Sequence, residues 1–283
     1  MEVSLLVTTY NWPESLRLVL QSVREQSLKP DQVIIADDGS GPDTALVVRE
    51  ILKPSDCRWR HVWHEDKGVR QSRIKNLAVK YATSPYLIFI DHDVVLHSDF
   101  VKDHLSMARQ GFFLQGKRVI LPEYYTQNVL KNKSFKPPAI FLRKLGNRKN
   151  TIRSLLLGKM FGRGKKFESS LRGCNLSMFK SDFIKVDGFD EAFDRSWGRE
   201  DSDICYRLFH SGVRVRNLWF LALQYHLKHE VDPNWHRERL DQELKKNVHE
   251  KRTQALSGFS RLSEEGSVLS GTVHTLQDTN LFY

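Results

Sequence analysis

Short runs of consecutive apolar residues alternate with stretches of helical periodicity through residues 3–90. The runs at 3–8, 33–36, 59–63 and 86–90 read as strands. The last of these, Tyr-Leu-Ile-Phe-Ile, is rich in β-branched and aromatic side chains, as expected of a strand buried on both faces. Between the runs, helical spacing is kept by Leu16, Val19, Leu20 and Val23, by 44–52, and by Ile74, Leu77, Ala78 and Tyr81 within 69–82. Asn11 stands where a cap of the first helix is expected, and Pro13 fits that helix's first turn. Strand and helix in regular alternation predict an α/β chain with a doubly wound, mostly parallel sheet flanked by helices.

Farther along, the pattern predicts a helix over 100–111, a strand over 116–121, a helix from about 204 that stops at Gly212, a strand over 219–223 and a charged helix over 237–252. Residues 122–168 break the periodicity. No acid lies between Glu123 and Glu168, while twelve lysines and arginines are interleaved with apolar groups at 139–142, 155–157 and 160–161. With Pro137, Pro138 and several glycines, this stretch reads as an insertion. It is either a solvated loop or an amphipathic surface that meets anionic lipid or an anionic acceptor.

Ligands of parallel sheets bind at the carboxyl ends of the strands. Thr8, Thr9 and Tyr10, then Asp37 and Asp38, then Asp91, His92 and Asp93 all fall there. Charge beside a core is costly unless paired, so two carboxylates one residue apart at the tip of a buried strand call for a partner. A divalent cation that bridges to phosphates meets that need, and a polar strand end capping the next turn is the plainer account. Neither Gly-x-Gly-x-x-Gly nor Gly-x-x-x-x-Gly-Lys-Ser/Thr is present, which favours a nucleotide held by side chains and a metal. A second acidic cluster follows Trp197 and Gly198: Glu200, Asp201 and Asp203 at a helix start. Acids at a helix N-terminus can be simple dipole partners. An indole beside carboxylates also supplies what a sugar acceptor needs, a stacking face and a general base.

The ordered set Val7-Thr-Thr-Tyr-Asn11, Asp37-Asp-Gly-Ser40, Asp66-Lys-Gly-Val-Arg70, Arg73-Ile-Lys-Asn76 and Asp91-His-Asp93 resembles family 2 glycosyltransferases of GT-A fold. The similarity runs through about residue 230 and points to the bacterial branch related to chondroitin-type polymerases and to lipopolysaccharide and capsule glycosyltransferases. The segment from Trp197 to Asp203 resembles the acceptor motif shared with β-1,4-galactosyltransferases. The resemblance implies Asp201 as catalytic base, Glu200, Asp203 and Trp197 at the acceptor, and Gly173 and Asn175 at the donor sugar. It implies Thr8, Tyr10, Asp38, Arg70, Lys75 and Asp91 at the nucleotide-sugar donor. Asp91, Asp93 and His226 would hold Mn²⁺ or Mg²⁺, with His229 a rival for the histidine position. Two departures stand out: His92 between the two acids, where the residue is usually small or acidic, and Lys75 where many relatives carry Arg, losing bidentate geometry.

Composition adds a bias without changing the class. With 44 basic and 34 acidic residues the net charge is +10, which suits a phosphate-bearing substrate, a nucleic acid or an anionic membrane. Three widely spaced cysteines form no metal-type pair and suggest a reducing compartment, and no secretory leader or membrane-length apolar run is visible. A cytoplasmic location is expected, with the inner face of the cell membrane as an option. The expectation is an inverting glycosyltransferase that carries a sugar from a nucleotide-sugar, a UDP-sugar above all, to a cell-surface glycan or glycolipid. A sugar nucleotidyltransferase and a basic nucleic-acid-binding protein are the alternatives. The first needs a glycine-rich loop after the first strand that is missing, and the second leaves the strand-end acids unexplained, so nucleic acid is not an expected partner. The organisation expected is a nucleotide-sugar half (1–121), the basic insertion (122–168), an acceptor half (169–230) and a helical tail (231–283).

Overall fold

A computed structural model of the chain describes residues 1–53, 57–162, 171–230, 237–264 and 274–275. Its centre is four parallel strands, β1 (Val3–Thr9), β2 (Gln32–Asp37), β3 (Arg58–Trp63) and β4 (Tyr86–Asp91), in the order β3-β2-β1-β4. Helices α1 (Pro13–Arg24), α2 (Pro42–Leu52) and α3 (Gln71–Lys80) make the crossovers. The chain continues through β5 (Val94–Leu96), α4 (Phe100–Met107), β6 (Phe112–Gln115), β7 (Val119–Ile120), α5 (Glu123–Asn132), α6 (Leu155–Phe161), β8 (Leu176–Phe179) and α7 (Lys180–Lys185). It closes with α8 (Glu200–His210), β9 (Arg214–Asn217), β10 (Gln224–His226), α9 (Arg237–His249), α10 (Phe259–Glu264) and β11 (His274–Thr275). Strand β8 extends the main sheet antiparallel to β4 and β6, β9 pairs parallel with β6, and β11 lies antiparallel on β3. The expected mostly parallel sheet flanked by helices is what the chain forms.

The alternation of strand side chains explains why both faces are covered. Leu5, Val7, Ile35 and Ile88 pack with Leu16, Val19 and Leu20 of α1 and Val48 of α2 on one face. Leu6, Ile34, Leu87 and Phe89 pack with Ile74 and Leu77 of α3 and Ile204 and Leu208 of α8 on the other. A third apolar cluster lies beneath a small second sheet, in which β10 pairs antiparallel with β5 and parallel with β7. It includes Val129 of α5 and Leu145, and Gly146 bridges Ile120, so the first part of the basic stretch is docked onto this sheet rather than looped free of it.

Several expected boundaries are corrected. The first helix has Trp12 at its N-cap, and the Asn11 side chain instead accepts from the Gly41 backbone N–H at 2.9 Å, tying two loops together. The helix at 100 ends at Met107, because Ala108 is extended and Gly111 turns at φ +75 into β6. Of the strand expected over 116–121 only Val119–Ile120 pairs, in the small sheet, while β6 ends at Gln115 in the main sheet, and the Gly116 N–H between them donates to the Asn175 carbonyl. The strand expected over 219–223 is a turn in which Phe220 and Ala222 take positive φ, and pairing resumes at β10. The charged helix ends at His249, three residues early. Of the last thirty residues, expected to be loosely ordered, Phe259–Glu264 form α10 and most of the others lie outside the described residues, as do Arg163, Lys165 and Lys166.

Asn76 on α3 locks this helix to the second half of the chain. Its Nδ2 donates to the Phe189 carbonyl and its Oδ1 accepts the Phe189 N–H, both at 2.8 Å and both buried. Asn76→Ala orphans two buried backbone groups, so it should cost about 2–4 kcal/mol. Urea unfolding measures this, and a loss below about 0.5 kcal/mol, the range of an ordinary surface change, would remove Asn76 as the link.

Candidate active site

The strand ends and the start of α8 converge on one cleft of about 700 Å³, a volume in the range of small-molecule sites. Parallel register sets Thr8 of β1 beside Asp91 of β4 and Thr9 beside Asp37 of β2. Thr8, Thr9, Tyr10 and Asp38 form one wall, Asp91, His92 and Asp93 the floor, and Trp197, Gly198, Glu200 and Asp201 the opposite wall. Gly198 at φ +95 and Arg199 at φ +75 make the tight turn that swings Glu200 and Asp201 into the first turn of α8. Asp194 holds this turn in place by accepting the N–H groups of Ser72 and Arg73 at the start of α3.

Six carboxylates line the cleft, and three of them, Asp91, Glu200 and Asp201, are met by a buried ammonium. Lys75 Nζ, on α3, donates to Glu200 Oε1 at 2.8 Å and to Gln71 Oε1 at 3.3 Å. Burial opposes its charge, but attraction to Glu200, Asp91 and Asp201 outweighs that and holds Lys75 firmly protonated. Asp91 is pushed up to about 7 by burial and by Asp93, Glu200 and Asp201, against the pull of Lys75. Asp201 is also raised, by burial and then by Glu200. Its Oδ2 accepts the Gly173 N–H at 2.7 Å, and its Oδ1 accepts both the Ser202 N–H at 2.6 Å and the Ser202 hydroxyl at 3.2 Å, which fixes the carboxylate and leaves Oδ2 with a second lone pair.

On the far side, Asp93 meets two imidazoles. Strand β10 lies antiparallel to β5 with His226 opposite Val94, which carries His226 Nε2 to 2.9 Å from Asp93 Oδ2. Three residues on, His229 Nε2 reaches the same oxygen at 3.1 Å. Burial alone would raise Asp93, yet the two histidine contacts hold it well below the usual carboxylate range. Asp93 Oδ1 and His226 Nδ1 are buried without a hydrogen-bond partner. One carboxylate and two imidazoles with ligand atoms within 4.8 Å of one another are a donor set that fits a divalent transition metal.

The cleft therefore brings together Thr8, Tyr10, Asp38, Asp91, Asp93, Trp197, Glu200, Asp201 and His226 from the expected set. Others sit behind it. Lys75 is spent on Glu200 and Gln71. Arg70 caps the neighbouring loop, its side chain on the Glu65 carbonyl and its N–H on Asp38. Gly173 serves Asp201 through its backbone. Asn175 is fully buried, pinned by His104 and by the Lys117 and Ala222 carbonyls, and Asp203 is fully buried against Arg207 and Asn247. Neither Asn175 nor Asp203 lines the cleft, because buried polar groups this well satisfied have no capacity left for a ligand. Of the expected metal group, Asp93 and His226 lie together with His229, and Asp91 lines the same cleft. His92 turns its Nδ1 toward the Thr8 carbonyl and packs edge-on against Trp12. Trp12, Gln71, Arg118 and Lys228 also line the cleft and carry no motif signal in the sequence.

The description "Glycosyl transferase family 2" matches residues 4–168, and "N-terminal domain of galactosyltransferase" matches residues 163–230. The chain is 27% identical over 252 residues to a validoxylamine A glucosyltransferase of Streptomyces hygroscopicus subsp. limoneus, covering 81% of this chain and 53% of the relative. It is 26% identical over 247 residues to a chondroitin synthase of Escherichia coli, covering 79% of this chain and 34% of that protein. The chain thus spans about half the length of the first relative and a third of the second. In fold it is similar to S. aureus TarS 1–349 in complex with UDP-GlcNAc, with TM-score 0.58 at 17% identity, covering 89% of this chain and 66% of the other.

The Lys75–Glu200 pair makes a direct prediction. Its partners are only 3% and 8% exposed, so Lys75→Met, which strands a buried carboxylate, should destabilise the fold by about 3–5 kcal/mol. Adding Glu200→Gln should recover a large part of that loss in urea unfolding. Additive losses in the double variant would show that the two groups are not a unit.

Proposed function

This chain belongs to glycosyl transferase family 2, and on that premise we propose an inverting, metal-dependent transfer of a sugar from a UDP-sugar to a sugar hydroxyl of a cell-surface glycan such as lipopolysaccharide or capsule. The observation that carries the reading is the convergence in one cleft of strand-end acids, a carboxylate–imidazole group and an acid-bearing helix start beside an indole. Thr8, Tyr10 and Asp38 take the nucleoside end of the donor. Asp38 is held for this by His64 at 2.7 Å and by the Arg70 N–H at 3.0 Å. Asp93, His226 and His229 would hold a divalent ion, their two imidazoles suiting Mn²⁺ better than Mg²⁺, and when bound it would supply Lewis-acid neutralisation of the diphosphate.

Asp201 is the base in this reading. Its oxygens are fixed by backbone donors, and burial with Glu200 lifts its proton affinity toward that of a useful general base. The acceptor hydroxyl gives its proton to Asp201 as its oxygen bonds to the anomeric carbon. The bond from that carbon to the diphosphate oxygen breaks on the opposite face, so configuration inverts and an α-linked donor yields a β-linkage. Trp197 offers its indole face to the acceptor ring, and Glu200, tied to Lys75, fixes the wall beside it. Screening UDP-sugars for Mn²⁺-dependent hydrolysis and thermal shift is the test, and no response to any UDP-sugar would remove this reading.

Two variants separate the roles. Asp93→Ala should abolish Mn²⁺-dependent binding of UDP in calorimetry while the far-ultraviolet circular dichroism stays unchanged, and unchanged metal dependence would refute the metal assignment. Asp201→Asn keeps shape and loses the proton acceptor, so kcat should fall by about 10²–10⁴-fold while UDP binding survives. Because the ionised carboxylate is the competent form and Asp201 is raised, wild-type kcat should decline as pH drops through a value above the usual carboxylate range. That acid limb should be missing from the residual activity of Asp201→Asn.

A further inference from the structure

Helix α6 is turned inside out relative to an ordinary surface helix. It meets the body of the protein through its smallest residue: Gly158 is buried, and a Cβ there would collide with the Leu221 side chain. Its large apolar side chains face solvent, with Leu156 70%, Met160 56%, Phe161 46% and Leu155 45% exposed. The helix is fixed in this pose by the Ser154 N–H on the Phe220 carbonyl and by Phe161 against the Phe220 ring. Ile152 is exposed beside it, and Phe141, at 86%, is the most exposed large apolar residue described. Contiguous exposed apolar groups of this kind mark a contact surface.

The charges carried by the same stretch of chain say which surface it meets. Lys131, Lys133, Lys136, Arg143, Lys144, Arg148, Lys149 and Lys159 are all exposed, and no acid interrupts the sequence from 124 to 167. Lys117 and Lys149 both sit over the Trp219 ring, at 5.0 and 5.4 Å, so an interfacial indole is framed by two ammonium groups. Arg153 is neutralised in place by Asp103 and Asp99, and Lys133 lies within the field of Glu50. Exposed apolar side chains on a short helix within a stretch rich in exposed cations suit the boundary of acyl chains and anionic headgroups. A protein partner of matching charge would satisfy the lysines and would leave Leu156 and Phe141 without a hydrocarbon phase to enter. The stretch is also fastened to the cleft rim, since Asn147 and Asn150 donate to the carbonyl of Arg118, a cleft residue.

We propose that the outward face of α6, with Phe141, Trp219 and the surrounding lysines and arginines, is a docking surface for an anionic lipid bilayer. Docked this way, the chain lies on the membrane without spanning it. No helix among the described residues is long and apolar enough to cross one. The inference does not depend on which sugar is transferred.

The test is co-sedimentation of the full chain with vesicles of phosphatidylglycerol and phosphatidylcholine in equal parts, against vesicles of phosphatidylcholine alone. Binding to the first, weakened by added salt and unaffected by inorganic phosphate at matched ionic strength, is expected. The variant Lys144→Gln/Lys149→Gln/Lys159→Gln should bind on the order of 100-fold more weakly, since each cation near an anionic surface contributes about fivefold. The variant Leu156→Ser/Met160→Ser keeps every charge and should also lose binding, which separates insertion from simple charge attraction. UDP binding should be equal in all three proteins and serves as the check on folding. Equal binding to both vesicle types, or wild-type binding by both variants, would overturn the proposal. So would self-association in ultracentrifugation that both variants abolish while vesicles capture nothing.

Discussion

One buried ammonium makes the cleft possible. Asp91, Asp93, Glu200 and Asp201 come from one strand end and a helix start, and like charges this close raise one another's proton affinity. Lys75 sits under them, bonded to Glu200 and attracted to Asp91 and Asp201, and lowers the cost of holding several carboxylates out of water. A lysine suits this role because its compact ammonium can be shared among several acids, whereas a planar guanidinium directs its bonds in a fork. Lys75 therefore serves the acids beside it by internal neutralisation.

That lysine is only as well placed as α3, and three links fasten the helix to the second half of the chain. Asn76 clasps the Phe189 backbone, Asp194 caps the helix, and Lys75 itself holds Glu200. All three partners come from residues 189–200, the loop that leads into α8. The wall expected to receive the acceptor is thus built against the helix that follows β3, and the two halves read from the sequence share one set of polar fastenings. The basic stretch is a similar case. Its first part packs into the third apolar cluster and its second hangs on the Arg118 carbonyl, so it borders the cleft.

The small sheet of β5, β10 and β7 carries the other half of the chemistry. It turns the chain after Asp93 back along β10, which is how His226 and His229 reach a carboxylate more than 130 residues earlier in sequence. Trp12 lies edge-on to both His92 and His229 and so separates the ring that faces Thr8 from those that face Asp93.

What the sequence determined by itself is local. Apolar runs and helical spacing located the first four strands and three helices within two residues, because burial on both faces of a parallel sheet leaves a continuous apolar signature. Polar residues directly after those runs had to lie at strand ends, so Thr8, Asp38, Asp91 and Asp93 were legible, as were Trp197 and Asp201 from their crowding at a helix start. What the tertiary structure alone decided is partnership. Whether a polar residue faces a ligand or the core depends on groups distant in the chain. Asp203 is taken by Arg207 and Asn247, Asn175 by His104, and Lys75 by Glu200, and no periodicity reports those pairings. The short strands failed for the same reason. At 112–120 and 214–226 a few residues pair with whichever edge is near, and positive-φ turns at Phe220 and Ala222 override an apolar run that reads as a strand. Position along the chain fixes what a residue can do, and the neighbours that folding brings to it fix what it has left to do it with.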